Sequence, residues 1–114
     1  MPTPLEIKLE RGKISVLKAA GKVDGTTAPQ LLQQAEILLA EGYVDMVLDL
    51  HGVSYMSSAG IVALQSISAK VRKQNGRLAI AGLVADVNRV LEITGPTNWL
   101  NLYPDLEKAR ASFN

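Results

Sequence analysis

The stretch VDMVLDLHGVSYMSSAG at residues 44–60 decides the fold. Val44, Met46, Val47, Leu48 and Leu50 make an almost continuous apolar run, broken only by Asp45 and Asp49. A strand covered on both faces needs such a run, because neither face is left to be polar. It is read as a central strand over 44–50, interrupted by His51 and Gly52, with His51 a loop residue at its end. Downstream, Ile61, Leu64, Ile67 and Val71 recur at three- and four-residue spacing, one stripe of an amphipathic helix. Ser58 then falls where strand gives way to helix, at the helix's positive N-terminal end, a seat for an anion such as phosphate.

Working outward toward the N-terminus, Leu5, Ile7 and Leu9 alternate with Glu6, Lys8 and Glu10, the period of a strand with one wet face. Arg11-Gly12-Lys13 connects it to a second strand over 14–20, making a hairpin. Gly21 to Gly25 punctuates the chain, and Thr26 or Thr27 can cap the helix that follows by accepting from a free backbone N–H. Leu31, Ala35, Leu38 and Leu39 share a face of that helix, and Gly42 ends it. Toward the C-terminus, Lys70, Arg72 and Lys73 complement the negative end of the second helix, with Gly76 just beyond. A strand over 78–81 follows, stopped by Gly82. Val84, Val87, Val90 and Leu91 mark a short helix closed by Gly95 and Pro96. Trp99, Leu100 and Leu102 suggest a last short strand, and Pro104-Asp105 opens a final helix through Ala111. The whole is an α/β domain with a mixed, mainly parallel sheet of about four to five strands packed with about four helices.

A chain of 114 residues supports one domain, over 1–114, with a single core. Twelve basic residues against eleven acidic ones leave a net charge of +1, so nothing draws the protein to nucleic acid or to anionic lipid. Cysteine is absent, which removes disulfides, thiol nucleophiles and thiolate metal sites. The opening MPTPLEIKLERGK has no apolar core of a secretory signal, so a cytoplasmic protein is expected; with no heptad or long exposed edge in view, it is expected to be monomeric when free. Between Asp49 and Lys70 there is no Lys, Arg, Asp or Glu, yet the stretch is too polar to cross a bilayer. Either it is buried, or part of it around Ser58 is exposed and docks a partner.

A serine at a strand-to-helix turn raises hydrolysis. The nucleophile elbow wants small residues two positions either side of the serine, and Ser58 has Gly60 after it but Met56 before it. His51 is the one histidine available as general base. Asp45, Asp49 and His51 stand at alternate positions without a second cluster to complete a metal site, and no glycine-rich nucleotide loop is present. A binding domain with a modifiable hydroxyl remains.

The segment VLDLHGVSYMSSAGIVAL resembles the signature of STAS domains of the anti-sigma factor antagonist type, in which an apolar strand runs into a D-S-[ST]-G turn and a helix. GKVDGTTAPQL resembles the family's first strand-to-helix connection, and LEITGPTNWLNLYPDLEKA its C-terminal end, so three motifs stand in register over nearly the whole chain. The resemblance implies a protein that is not an enzyme and needs no cofactor or metal. It implies a partner switch: the antagonist binds an anti-sigma factor that is also a serine kinase, frees the sigma factor, is released when phosphorylated, and is reset by a PP2C-type phosphatase. Anchored on Gly60, the family's phosphoacceptor falls on Ser58. Its preceding Asp is replaced by Ser57, a competing hydroxyl, and its following Ser or Thr by Ala59; Pro96 also departs from an apolar position. The implied partner surface is Asp24, Gly25 and Thr26, Ser57 and Ser58, and solvent-facing members of the next helix, Ile61 or Val62. The alternative is a STAS scaffold or sensor module that binds another regulator or a small ligand without being phosphorylated.

Overall fold

The computed structural model describes residues 5–82 and 101–113. Strand β1 (Glu6–Glu10) pairs antiparallel with β2 (Ser15–Val23), the expected hairpin. Strands β3 (Met46–Met56), β4 (Leu78–Ala81) and β5 (Asn101–Tyr103) then add in parallel, in the spatial order β1-β2-β3-β4-β5. Helix α1 (Ala28–Ala40) links β2 to β3, α2 (Ser58–Lys73) links β3 to β4, and α3 (Leu106–Ala111) follows β5. The sheet is mixed and mainly parallel with β3 at its centre, as the apolar run required. The helix expected over 84–91, with Gly95 and Pro96, lies outside the described residues, as do Trp99 and Leu100.

Both faces of β3 are covered over its first half. Leu48 belongs to a cluster with Leu17, Ile80 and the inward stripes of α1 (Leu31, Ala35, Leu38) and α2 (Leu64, Ile67, Val71). Val47, pointing the other way, packs with Val16, Ala79, Ala81 and Ala109 of α3. The end of α1 and the start of α3 follow their sequence signals. The Gly42 amide donates to Leu39 O and that of Tyr43 to Leu38 O, with Gly42 in the left-handed region at φ +93°. Asp105 caps α3 by accepting from the Lys108 amide at 2.8 Å.

Two strands outrun their sequence signals. Strand β2 continues past Ala20 to Val23, and β3 continues past Leu50 through His51 and Gly52 to Met56, so His51 stands within a strand and not in a loop. The cause is the register. Lys18 faces Asp49 but Ala20 faces Gly52, and Gly21 faces Val53 but Lys22 faces Tyr55. At each step β3 advances one residue more than β2, as at a β-bulge. Its buried side chains therefore fall at Leu50, Val53 and Met56, every third residue instead of every second.

Gly76 marks the tightest turn into β4. A Cβ there would overlap the Val44 carbonyl, a backbone group that cannot yield without moving the entry to β3. A Cβ on Gly25 would meet nothing within 4 Å. Gly76→Ala is expected to lower stability in urea unfolding by about 1–3 kcal/mol, the range of core overpacking. Gly25→Ala should stay within about 0.5 kcal/mol of the parent.

Candidate functional site

Parallel strands deliver their C-terminal ends, and the loops after them, to one edge of the sheet, where α/β proteins bind their ligands. Here β2 and β3 end side by side, with Val23 opposite Met56. The Ser57 amide donates to Val23 O at 2.8 Å, tying the loop after β3 to the end of β2. Gly60 lets α2 settle onto this pair, since a Cβ there would lie 2.5 Å from Met56 Cγ and 2.8 Å from Val23 Cγ1.

The loop after β2 is braced by its own side chains. Asp24 Oδ1 accepts from the amides of Thr26 at 2.9 Å and Thr27 at 3.1 Å. The Thr27 hydroxyl accepts from the Asp24 amide at 2.9 Å and donates to Lys22 O at 2.8 Å. Thr27 occupies the cap position of α1, but its hydroxyl serves the turn and makes no side-chain cap to the helix. The expected side-chain cap is absent: the Ala28 amide donates to the Asp24 backbone carbonyl at 2.8 Å and the Gln30 amide to that of Thr27 at 2.9 Å, with Pro29 in the first helical turn where no amide is needed. The backbone amide of Thr27, then that of Thr26, hold the Asp24 carboxyl below the ordinary aspartate range.

At the start of α2 the two serines part company. Ser57 is the N-cap, extended at φ −83° and ψ 176°, and its carbonyl accepts from the amides of Gly60 at 3.0 Å and Ile61 at 3.2 Å. Its hydroxyl oxygen is closed off from solvent and has no hydrogen-bond partner among the described residues. Ser58, the first residue of the helix, is exposed. Its amide precedes any that can bond within the helix, so the positive end of α2 is presented beside its hydroxyl.

The neutral stretch divides between core and surface. Ile61 is only 5% exposed and belongs to the core, which corrects its place among solvent-facing candidates, whereas Val62 is 57% exposed. Val62 lines an open cleft of about 320 Å³ between α1 and α2, with Gly25, Ala28, Pro29 and Leu32 on one side and Ala59, Ala63 and Ser66 on the other. None of these side chains is charged. The structure thus gathers Asp24, Gly25, Thr26, Ser57, Ser58 and Val62 at one end of the molecule. Sequence reasoning passed over Tyr55, 52% exposed near the end of β3. The β-branched and aromatic residues Val53 and Tyr55 were the signal that the strand continued. His51 lines a different cleft, over Ala20 and Gly52, with Glu6, Lys8, Lys18 and Asp49. The Asp45 and Asp49 carboxylates accept from the backbone amides of Arg77 and His51.

The STAS domain family model matches residues 7–109. The anti-sigma-B factor antagonist of Bacillus subtilis is 33% identical over 91 residues, covering 80% of this chain and 82% of that protein. A crystal structure of an anti-sigma factor antagonist from Mycobacterium paratuberculosis superposes with a TM-score of 0.86 at 26% identity, covering 98% of this chain and 97% of that one. The Bacillus cell fate determinant SpoIIAA in its phosphorylated form shares the fold, with a TM-score of 0.71 at 14% identity over 96% of this chain and 99% of its own. The chain belongs to the STAS family, and within it to the anti-sigma factor antagonists. Among the described residues no helix is long and apolar enough to cross a membrane.

The braced turn gives a direct test. In an NMR titration the Asp24 carboxyl should protonate below the ordinary aspartate range. A depressed folded-state pKa contributes stability above the unfolded value, and that contribution is lost as pH falls through the folded one. Asp24→Asn should remove this part of the acid dependence while keeping an acceptor for the Thr26 and Thr27 amides. A titration at or above the ordinary range would show that the two amide bonds do not persist in solution.

Proposed function

We propose that this chain is a phosphorylation-controlled anti-sigma factor antagonist. It binds an anti-sigma factor that is also a serine kinase, so that a sigma factor is set free, and phosphorylation of Ser58 ends the complex. The observation that carries the reading is an exposed Ser58 hydroxyl in the first turn of α2, beside an uncharged cleft. The Asp24 to Thr26 turn, Ser57, Val62 and Tyr55 complete the partner surface. The protein serves in the cytoplasm as substrate and binding partner and performs no catalysis of its own. A PP2C-type phosphatase would hydrolyse the phosphoserine and restore the binding form.

In the phosphoryl transfer, Ser58 Oγ forms a bond to the γ-phosphorus of ATP. The bond from that phosphorus to the β,γ-bridging oxygen breaks, ADP leaves, and the serine proton passes to a base of the kinase. The product carries about −1.5 to −2 charges at pH 7. At a helix N-terminus that charge is favourable for the free domain. A partner pressed on the same spot must instead strip water from a dianion over an apolar surface. A penalty of about 2.7 kcal/mol weakens binding a hundredfold, and burying an unpaired charge readily exceeds it. Ser57 is the competing hydroxyl, but its oxygen is closed off from solvent, which favours Ser58 as acceptor.

Incubation with an anti-sigma factor kinase, ATP and magnesium should add one phosphate, mapped to Ser58 by peptide mass analysis and absent from Ser58→Ala. Binding without phosphate transfer would favour the scaffold reading, whose motivating observation is Ser57 in place of the family's Asp and Ala59 in place of its Ser or Thr. In a binding titration Val62→Asp should weaken the complex by about tenfold or more, since it puts a carboxylate into the apolar cleft. An unchanged affinity would remove the α1–α2 cleft from the interface.

A further inference from the structure

We propose that Ser57 is a positioning residue whose hydroxyl is the hydrogen-bond donor for a phosphoryl group on Ser58. The inference rests on Ser58 being the phosphoacceptor. Ser57 has the extended backbone of a cap residue, the geometry in which a serine oxygen usually accepts from the second or third amide of the helix. It does not do so here. The Gly60 amide goes to the Ser57 carbonyl, and the hydroxyl makes no bond among the described residues while lying out of reach of solvent. A buried hydroxyl without a partner is destabilising, so the unphosphorylated domain gains nothing from this side chain that an alanine would not give.

A phosphate on Ser58 changes the balance. It brings three strong acceptor oxygens to the adjacent residue, and one rotation about χ1 of Ser57 moves its O–H between staggered positions at the helix start. A neutral hydroxyl can donate to a dianion. A carboxylate at the same position could only accept, and would repel it. Ser57 therefore stabilises the doubly ionised phosphoserine and holds its orientation over the end of α2, a role distinct from capping the unmodified helix.

The test is a phosphorus NMR titration of the full chain carrying phosphoserine at position 58, installed during translation. The parent is compared with Ser57→Ala and Ser57→Thr. Loss of the donor should raise the second phosphate pKa in Ser57→Ala by about 0.3–1 unit, and the threonine hydroxyl should return it to the parent value. Without phosphate, Ser57→Ala should melt at the same temperature as the parent or higher. An unchanged phosphate pKa in Ser57→Ala overturns the proposal. A lower melting temperature for the unmodified Ser57→Ala also overturns it, because it assigns the hydroxyl to capping. No kinase enters the titration. Failure of a kinase to modify Ser58 would count against the proposed function and leave this result standing.

Discussion

The close approach of α2 to the ends of β2 and β3 is the constraint on which the site depends. One backbone bond, from the Ser57 amide to Val23 O, and one missing side chain, at Gly60 over Val23 and Met56, set where the helix begins and how near it lies. From that seat the remaining positions follow. Ile61 and Leu64 turn into the core, Ser58 and Val62 turn out, and the loop after β2 is drawn to the same end of the molecule. A helix held further off would lose both the buried stripe and the juxtaposition with Asp24 and Thr26.

On the proposed function, the same constraint suits the surface to switching. The cleft between α1 and α2 is lined by uncharged side chains, and the Asp24 carboxylate near it is already engaged by the Thr26 and Thr27 amides, so a partner seated there would be sensitive to a charge introduced at Ser58. The helix start meanwhile offers that charge a favourable place in the free protein. Under the proposed function, binding and modification compete for one surface while the core beneath it stays packed. Control of this kind needs no second conformation, only a difference in what the partner must desolvate.

Much of this was legible in the sequence, and the misses have physical causes. Stripes at 3.6-residue spacing located α1 and α2, and a doubly buried run located β3, because those periods report which side chains face the core. Two register shifts against β2 defeated the same logic in the second half of β3. There Leu50, Val53 and Met56 point inward at a spacing no strand template contains, so Gly52 looked like a break and Tyr55 like part of a loop. Gly21, at φ +119° within β2, likewise resembled punctuation. Ser58 was readable because it stands at a change of period. Ile61 was misplaced among surface candidates although its stripe already assigned it inward. The bracing by Asp24 and Thr27 was hidden because several hydroxyl and carboxylate arrangements fit the same short polar segment.

The central claim is that a phosphate on Ser58 acts at the surface and leaves the fold as it is. The most direct measurement compares backbone amide NMR spectra of the free domain with and without that phosphate. Shift changes confined to the loop after β2 and the first turns of α2 are predicted, with Met46 to Leu50 and the C-terminal half of α2 unmoved. Large changes spread through those core segments would contradict the account and require a conformational switch in its place.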